Sequence, residues 1–180
     1  AERNFAALVV GNEGLHFSAG ANLMLVLLEA QEENWDELDL MVRTFQQTTL
    51  ALRYAAVPVV VAPAGMTLGG GCEIALHADR VQIAGETYLG LVEVGVGLIP
   101  AGGGTKEMVA RAADLMLPGS TDFLPSVQRA FETIGFAKTS ASGPDAIRIG
   151  YLRSVDAVTM NRGRLLCDAK ARALERVRVG

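Results

Sequence analysis

The sequence is poor in the residues that build metal centres and covalent frameworks. Its 180 residues include two cysteines, Cys72 and Cys167, and two histidines, His16 and His77. The cysteines lack the paired spacing of zinc sites and disulfide scaffolds, and neither histidine has a partner at the spacing of metal ligands or of a catalytic triad. We therefore predict no metal site, expect Cys72 to pack in the core, and expect a reducing, cytoplasmic setting.

Long apolar runs and an excess of positive charge are also missing. The longest apolar stretch, Ala55 to Met66, is too short to cross a bilayer and contains two prolines. The net charge of −4 disfavours nucleic acid as the main partner. Residues 148–180 nevertheless carry eight basic and three acidic side chains, which could attract the phosphates of a nucleotide-like ligand or simply form a solvated helix face.

The chain alternates short apolar runs, glycine turns and helical patterns, which predicts one α/β domain with a sheet flanked by helices. We divide it into an α/β core over residues 1–113 and a helical C-terminal region over residues 114–180. Strands are predicted at Phe5–Val10, Val57–Val61 and Asp79–Ala84, and a loop over 114–126. Helices are predicted at Leu23–Gln31, Asn34–Tyr54, Thr105–Ala113, Pro125–Ala137, Gly143–Ile149 and Asn161–Val177, with a further helix opening at the glycines near Gly70.

Two glycine clusters begin like nucleotide-binding loops but do not complete the pattern. Gly95 and Gly97 start a dinucleotide fingerprint, but Pro100 stands where the third glycine belongs. The stretch Gly97–Thr105 lacks the Gly-Lys-Ser/Thr ending of a phosphate-binding loop. Neither cluster predicts a nucleotide site.

The glycines Gly69–Gly71 stand just before Glu73, separated from it by Cys72, and they suggest a different chemistry. Glycines that open a helix expose free N–H groups and let another group approach the backbone closely. Gly70 and Glu73 are three residues apart, so on a helix they share a face. They could present an oxyanion donor and a carboxylate to one site, or they could form a tight helix–strand turn that leaves Glu73 at the surface.

A second small-residue turn and a second carboxylate complete the chemistry of one reaction type. Residues Phe17–Asn22 could offer another N–H donor, and Glu93 lies in an apolar run that favours a raised pKa, although it could also face water. Two N–H donors stabilise the charge that develops on a thioester oxygen. Two carboxyl groups can supply the base and the acid for adding water to an adjacent double bond.

Three ordered segments resemble the crotonase (enoyl-CoA hydratase/isomerase) superfamily. Residues Phe17–Leu23 resemble its first oxyanion segment, residues Val59–Asp79 resemble its second, and Glu93 with Gly97–Thr105 resembles its second catalytic-glutamate segment. The resemblance is dense from Ala6 to Arg111. It implies a crotonase-like α/β fold, an acyl-CoA thioester as substrate, no cofactor within this domain, and assembly as a homo-oligomer, a trimer or a dimer of trimers.

Carried over by position, the resemblance assigns roles to five residues. The N–H groups of Ala21 and Gly70 would form the oxyanion hole, and Ala19 would line the coenzyme A pocket. Glu73 would deprotonate water and Glu93 would protonate the α-carbon, although the two roles could be exchanged because the carboxyl groups can titrate as a coupled pair. Double-bond isomerisation and a non-catalytic role in acyl-CoA binding or assembly are the alternatives.

The chain departs from the family pattern in several places. Asn22 stands where Asp is common, Ala101 follows Pro100 where Gly is common, and the resemblance implies further strands before Phe5. The C-terminal part resembles bacterial multifunctional proteins that join a 3-hydroxyacyl-CoA dehydrogenase to a crotonase domain. We therefore expect the parent chain to oxidise 3-hydroxyacyl-CoA with NAD as well, in fatty acid β-oxidation.

Overall fold

A four-stranded parallel sheet forms the centre of the computed structural model, which describes residues 4–116 and 121–179. Its strands are β1 (Leu8–Gly11), β2 (Val59–Ala62), β4 (Arg80–Ala84) and β6 (Ala157–Thr159), in the order β1-β2-β4-β6. A second parallel pair joins β3 (Met66–Leu68) to β5 (Tyr88–Gly90). The helices are α1 (Leu23–Gln31), α2 (Trp35–Arg53), α3 (Gly70–Leu76), α4 (Gly104–Asp114), α5 (Leu124–Gly135), α6 (Gly143–Arg148) and α7 (Leu165–Val179).

Strand β2 is buried on both faces, which explains its uninterrupted run of apolar residues. Val59 and Val61 join the larger core cluster, which includes Leu76 of α3 and Met108 of α4. The alternate positions of β2 belong to a second cluster that contains Leu165, Ala169 and Ala173 of α7. The sheet therefore lies between α7 on one side and the α3–α4 layer on the other.

The candidate site lies beside α3, which connects two similar pairs of successive strands, β2 with β3 and β4 with β5. Strands β2 and β3 are followed by α3, after which β4 pairs with β2 and β5 pairs with β3. The turn that joins β3 to α3 contains Gly69, whose φ of 56° and ψ of −125° suit glycine. Its N–H donates to the carbonyl of Gly90 at 2.9 Å, so the start of α3 is fixed beside the end of β5.

Several sequence-based boundaries are confirmed to within a few residues, but three strands were not predicted. The observed β1, β2 and β4 overlap the predicted strands, and α4, α5, α6 and α7 overlap the predicted helices. Strands β3, β5 and β6 have three residues each, which is too short to show an alternating pattern. The predicted loop at 114–126 falls partly on residues 117–120, outside the described residues, and α5 already begins at Leu124 within it.

Strand β6 gives the C-terminal region, predicted to be helical, one strand in the central sheet. Gln82 to Ala84 of β4 are in register with Ala157 to Thr159. Cys72 is fully buried in the larger core cluster, as expected. In the described part of the chain, no helix has the length and apolar character needed to cross a membrane.

Candidate active site

The N-terminus of α3 presents free backbone N–H groups. Gly70 is the first residue of α3, and within the described ranges its N–H donates to no backbone or side-chain acceptor. A Cβ atom placed on Gly70 would lie 3.1 Å from Cζ of Phe45 in α2. The N–H expected to bind an oxyanion is therefore without an acceptor, and the Cα side of Gly70 faces the ring of Phe45.

The turn predicted to supply the second donor lies directly beside the first. Ser18 forms a parallel β-bridge with Thr67 of β3. Its backbone N–H donates to the carbonyl of Met66, and its carbonyl accepts from the N–H of Leu68. Its hydroxyl accepts from the N–H of Gly20 at 3.1 Å, and Gly20 has a φ of +100°. The Cα of Gly20 is 3.6 Å from the position of a Cβ on Gly69, so the two turns are in contact.

Ala19 and Ala21 flank Gly20 and are exposed. Within the described residues, the N–H of Ala21 makes no hydrogen bond, so it is available to a ligand. Asn22, where the family commonly has Asp, accepts from the N–H groups of Met24 and Leu25 at 3.1 and 3.4 Å. The amide oxygen thus performs the N-cap function of a carboxylate at the start of α1.

Glu73 is a buried carboxyl group on α3, with 2% of its surface exposed. Its Oε1 accepts from the N–H of Gly104 at 2.8 Å, and its Oε2 lies 2.5 Å from the position of a Cβ on Gly102. Burial raises the pKa of Glu73 to about 7, aided by the charge of Glu93 and opposed by the bond from Gly104. A carboxyl group with this pKa can accept or donate a proton near neutral pH. The alternative of a surface Glu73 is wrong.

Glu93 begins a 3₁₀ turn over Glu93–Val96 and faces the glycine turn before α3. Its Oε1 lies 3.3 Å from the position of a Cβ on Gly69, and burial raises its pKa. Its Oε2 is buried, and in the part of the chain that the structure describes it has no hydrogen-bond partner. A carboxyl oxygen left without a partner in this position is available to a water molecule or a substrate atom.

The glycine-rich turn after Pro100 is fixed by α2, a contact that the sequence did not reveal. Gln46 donates from Nε2 to the carbonyl of Ala101 at 2.7 Å, and the buried hydroxyl of Thr49 donates to the carbonyl of Gly102 at 2.8 Å. These bonds hold the turn that carries Gly104 against the carboxylate of Glu73. Ala101 is therefore tied to α2 through its backbone.

The described residues contain no group of three or more acidic, histidine or cysteine side chains that could hold a metal ion. His16 accepts from the N–H of Met66 at 3.0 Å through Nδ1, beside the first oxyanion turn. His77 is buried, and its Nδ1 lies 2.7 Å from the carbonyl oxygen of Glu73. Both histidines contact the segments that carry the predicted site, although neither has a metal-ligand constellation.

Comparison with known proteins identifies the family. A family model described as "Enoyl-CoA hydratase/isomerase" matches residues 1–115. The chain belongs to this family. A crystal structure of the enoyl-CoA hydratase from Bacillus anthracis is similar with a TM-score of 0.77 at 26% identity, covering 99% of this chain and 61% of that one. The fold is therefore the crotonase fold, as the sequence motifs predicted.

Similarity to curated relatives extends beyond the residues that the family model matches. A Bacillus subtilis (strain 168) protein named "Probable 3-hydroxyacyl-CoA dehydrogenase" is 47% identical over 94% of this chain and 21% of its own length. The "Fatty acid oxidation complex subunit alpha" of Shewanella loihica is 34% identical over 62% of this chain and 16% of its own length. The chain therefore spans about a fifth of the length of the first relative and about a sixth of the length of the second.

Proposed function

We propose that this domain adds water to a 2-enoyl-CoA to give a 3-hydroxyacyl-CoA. The observation that carries the proposal is the meeting of two part-buried or buried carboxyl groups, both with raised pKa values, at two adjoining turns with free N–H groups. Double-bond isomerisation needs only one carboxyl group to move the proton. Hydration uses all of these groups, because it requires an oxyanion donor pair, a base and an acid.

In the proposed mechanism, the thioester oxygen is bound by the N–H groups of Ala21 and Gly70. Glu73 takes a proton from water as the water oxygen bonds to the β-carbon. The electrons of the double bond move towards the thioester oxygen, which the two N–H groups stabilise. Glu93 then gives a proton to the α-carbon, so that one water molecule is added in total.

The proposal extends to the activity of the parent protein, its location and its oligomeric state. We propose that the parent protein also oxidises the 3-hydroxyacyl-CoA product with NAD, as the name of the Bacillus subtilis relative suggests. We further propose a cytoplasmic homo-oligomer, a trimer or a dimer of trimers, in which Ala19 lines the coenzyme A pocket. Residues of this domain need not contact NAD for that reaction.

Loss of the conjugated enoyl absorbance of crotonyl-CoA tests the hydration. The full-length protein is assayed first without NAD, and NAD is then added while NADH formation is followed. We expect absorbance loss without NAD and NADH production afterwards. Folded protein that leaves crotonyl-CoA and longer 2-enoyl-CoAs unchanged would contradict hydration. If it instead converts 3-enoyl-CoA to 2-enoyl-CoA without consuming water, isomerisation is the activity.

A matched pair of substitutions at Gly70 tests the oxyanion hole. Gly70→Pro removes the N–H donor at a first helical position, where proline is tolerated, whereas Gly70→Ala keeps it. Each variant adds a Cβ beside the ring of Phe45. We expect Gly70→Pro to lower kcat/KM by about 10²–10³-fold, the usual effect of losing one oxyanion donor, and Gly70→Ala to lower it far less. Equal activities of the two folded variants would exclude the N–H of Gly70 from the hole.

A further inference from the structure

A buried cluster of charged side chains lies between α3 and α4. Glu107 is 2% exposed and pairs with Arg111 at 2.7 Å and with Lys106 at 2.9 Å. His77 and Arg53 approach the same carboxylate at 3.8 and 3.9 Å. Burial alone would raise the pKa of Glu107, but hydrogen bonds from Lys106 and Arg111 outweigh it and lower the pKa. Glu107 is therefore charged at neutral pH.

Arg111 joins three segments of the chain through its planar guanidinium group. Its Nη1 donates to Glu107 at 2.7 Å, its Nη2 to the carbonyl of Leu76 at 2.6 Å, and its Nε to the carbonyl of Tyr151 at 3.0 Å. The acceptor on Leu76 lies in the last turn of α3. Arg111 therefore fixes α4 to the end of α3, and the pair with Glu107 holds the guanidinium in this orientation.

The charged cluster is connected to Glu73 through the first residues of α4 and through His77. The N–H of Glu107 donates to the carbonyl of Gly103 at 3.0 Å, and the next residue, Gly104, donates to Oε1 of Glu73 at 2.8 Å. The ring of His77 lies 2.8 Å from the position of a Cβ on Gly103. A shift of α4 along α3 would therefore alter the bond between Gly104 and Glu73 directly.

We propose that Glu107 and Arg111 are positioning residues, which hold α4 against α3 so that the N–H of Gly104 stays on the Glu73 carboxylate. Neither residue would touch the substrate. A backbone N–H bonded to a carboxylate favours its charged form. Without that bond Glu73 would be protonated over a wider pH range and would accept a proton from water less often.

The proposal is distinct from a purely structural ion pair. A buried pair can often be replaced by apolar residues of similar volume without loss of stability. If the pair served stability alone, such a replacement would leave the titration of Glu73 unchanged. If the pair positions Gly104, the replacement would raise the pKa of Glu73 even in a stable protein.

Two variants separate the position of Gly104 from simple changes of charge. Arg111→Lys keeps the charge but cannot reach all three acceptors. Glu107→Leu/Arg111→Met removes one charge of each sign, so the net charge near Glu73 is unchanged. Glu107→Gln alone is unsuitable, because removing a negative charge would itself lower the pKa of Glu73.

Both variants keep unsubstituted the other titratable groups that face this region. They are Glu93 beside Glu73, then His77, Lys106 and Arg53 beside Glu107, and Arg153 and Asp156 near Arg111. The control is Thr159→Val, which removes a buried hydroxyl that bonds Gln82 and Asp168 at 2.8 and 2.9 Å. It loosens the central sheet without touching α4.

The measurement is a carboxyl-carbon NMR titration of full-length protein labelled at glutamate, with Glu73 assigned by its absence in Glu73→Gln. We expect the pKa of Glu73 to rise by about one unit in Arg111→Lys and in the double variant, as the loss of one charge-assisted hydrogen bond implies. We expect kcat to fall about ten- to a hundredfold with KM nearly unchanged. The acid limb of the pH–rate profile should move to higher pH by the same amount as the pKa.

The catalytic consequence rests on the proposed hydration, but the titration does not. If the unsubstituted protein lacks hydratase activity, the proposed function fails and the pKa of Glu73 still decides the positioning. An unchanged pKa in either folded variant overturns the inference, and Arg111→Lys alone decides it if the double variant does not fold. An equal rise in Thr159→Val would also overturn it, because general loosening would then suffice.

Discussion

Replacing Glu73 by Gln is expected to lower the kcat of hydration by about 10²–10⁴-fold, the usual contribution of a general acid or base. Gln keeps the size of the side chain and an oxygen that can accept from Gly104, but it cannot take a proton from water. KM should change little, because the substrate would still be held by the N–H groups of Ala21 and Gly70. Steady-state kinetics of the full-length protein with crotonyl-CoA measures both values.

The same substitution should stabilise the fold above neutral pH, which separates lost chemistry from lost structure. The pKa of Glu73 rises from its ordinary 4.5 to about 7 on folding. Between these values the folded protein binds more protons than the unfolded chain, so stability falls as the pH rises through that window. Glu73→Gln removes this dependence, with a gain of at most about 3 kcal/mol at pH 8.

Chemical denaturation at pH 5 and pH 8 tests the stability, with Glu86→Gln as a control at an exposed carboxyl group. A Glu73→Gln protein that is folded and hydrates crotonyl-CoA at a near-normal rate would remove Glu73 from the mechanism. A variant whose stability falls more steeply than that of the unsubstituted protein between pH 5 and pH 8 would contradict the raised pKa of the buried carboxyl group.

The parts of the site that sequence could predict are those encoded by local spacing. Gly70 and Glu73 share α3 because three residues separate them. The apolar run around Glu93 predicted its raised pKa, which burial produces. The three motifs predicted the family because, in order along the chain, they contain the two turns and the two carboxyl groups of the site. These inferences needed no knowledge of long-range contacts.

The parts that sequence could not predict depend on contacts between distant residues. Thr49 and Gly102 are bonded across 53 positions, and Gly104 and Glu73 across 31, so no local pattern reports them. Glu107 and Arg111 do have a signal, the spacing of four residues that favours a helical ion pair. Such pairs are usually solvated, and only the packing of α4 against α3 shows that this one is buried.

Replacing Glu93 by Gln is also expected to lower the kcat of hydration, because Gln cannot give a proton to the α-carbon. The carboxyl group of Glu93 is close to Gly69, next to the proposed oxyanion donor, so its proton would lie beside the carbon that must receive it. We expect a fall of about 10²–10⁴-fold. Glu93→Asp, which keeps the acid but shortens its reach, should fall between Gln and the unsubstituted protein.

Exchange of the α-proton of 3-hydroxybutyryl-CoA with deuterated water, without NAD, assigns the role of Glu93 directly. If Glu93 handles that proton, Glu93→Gln should lose exchange at least as severely as it loses hydration. If Glu73→Gln loses exchange while Glu93→Gln retains it, the two carboxyl groups have the opposite roles. Near-normal hydration by a folded Glu93→Gln protein would exclude both assignments, because a single carboxyl group would then carry the proton for both steps.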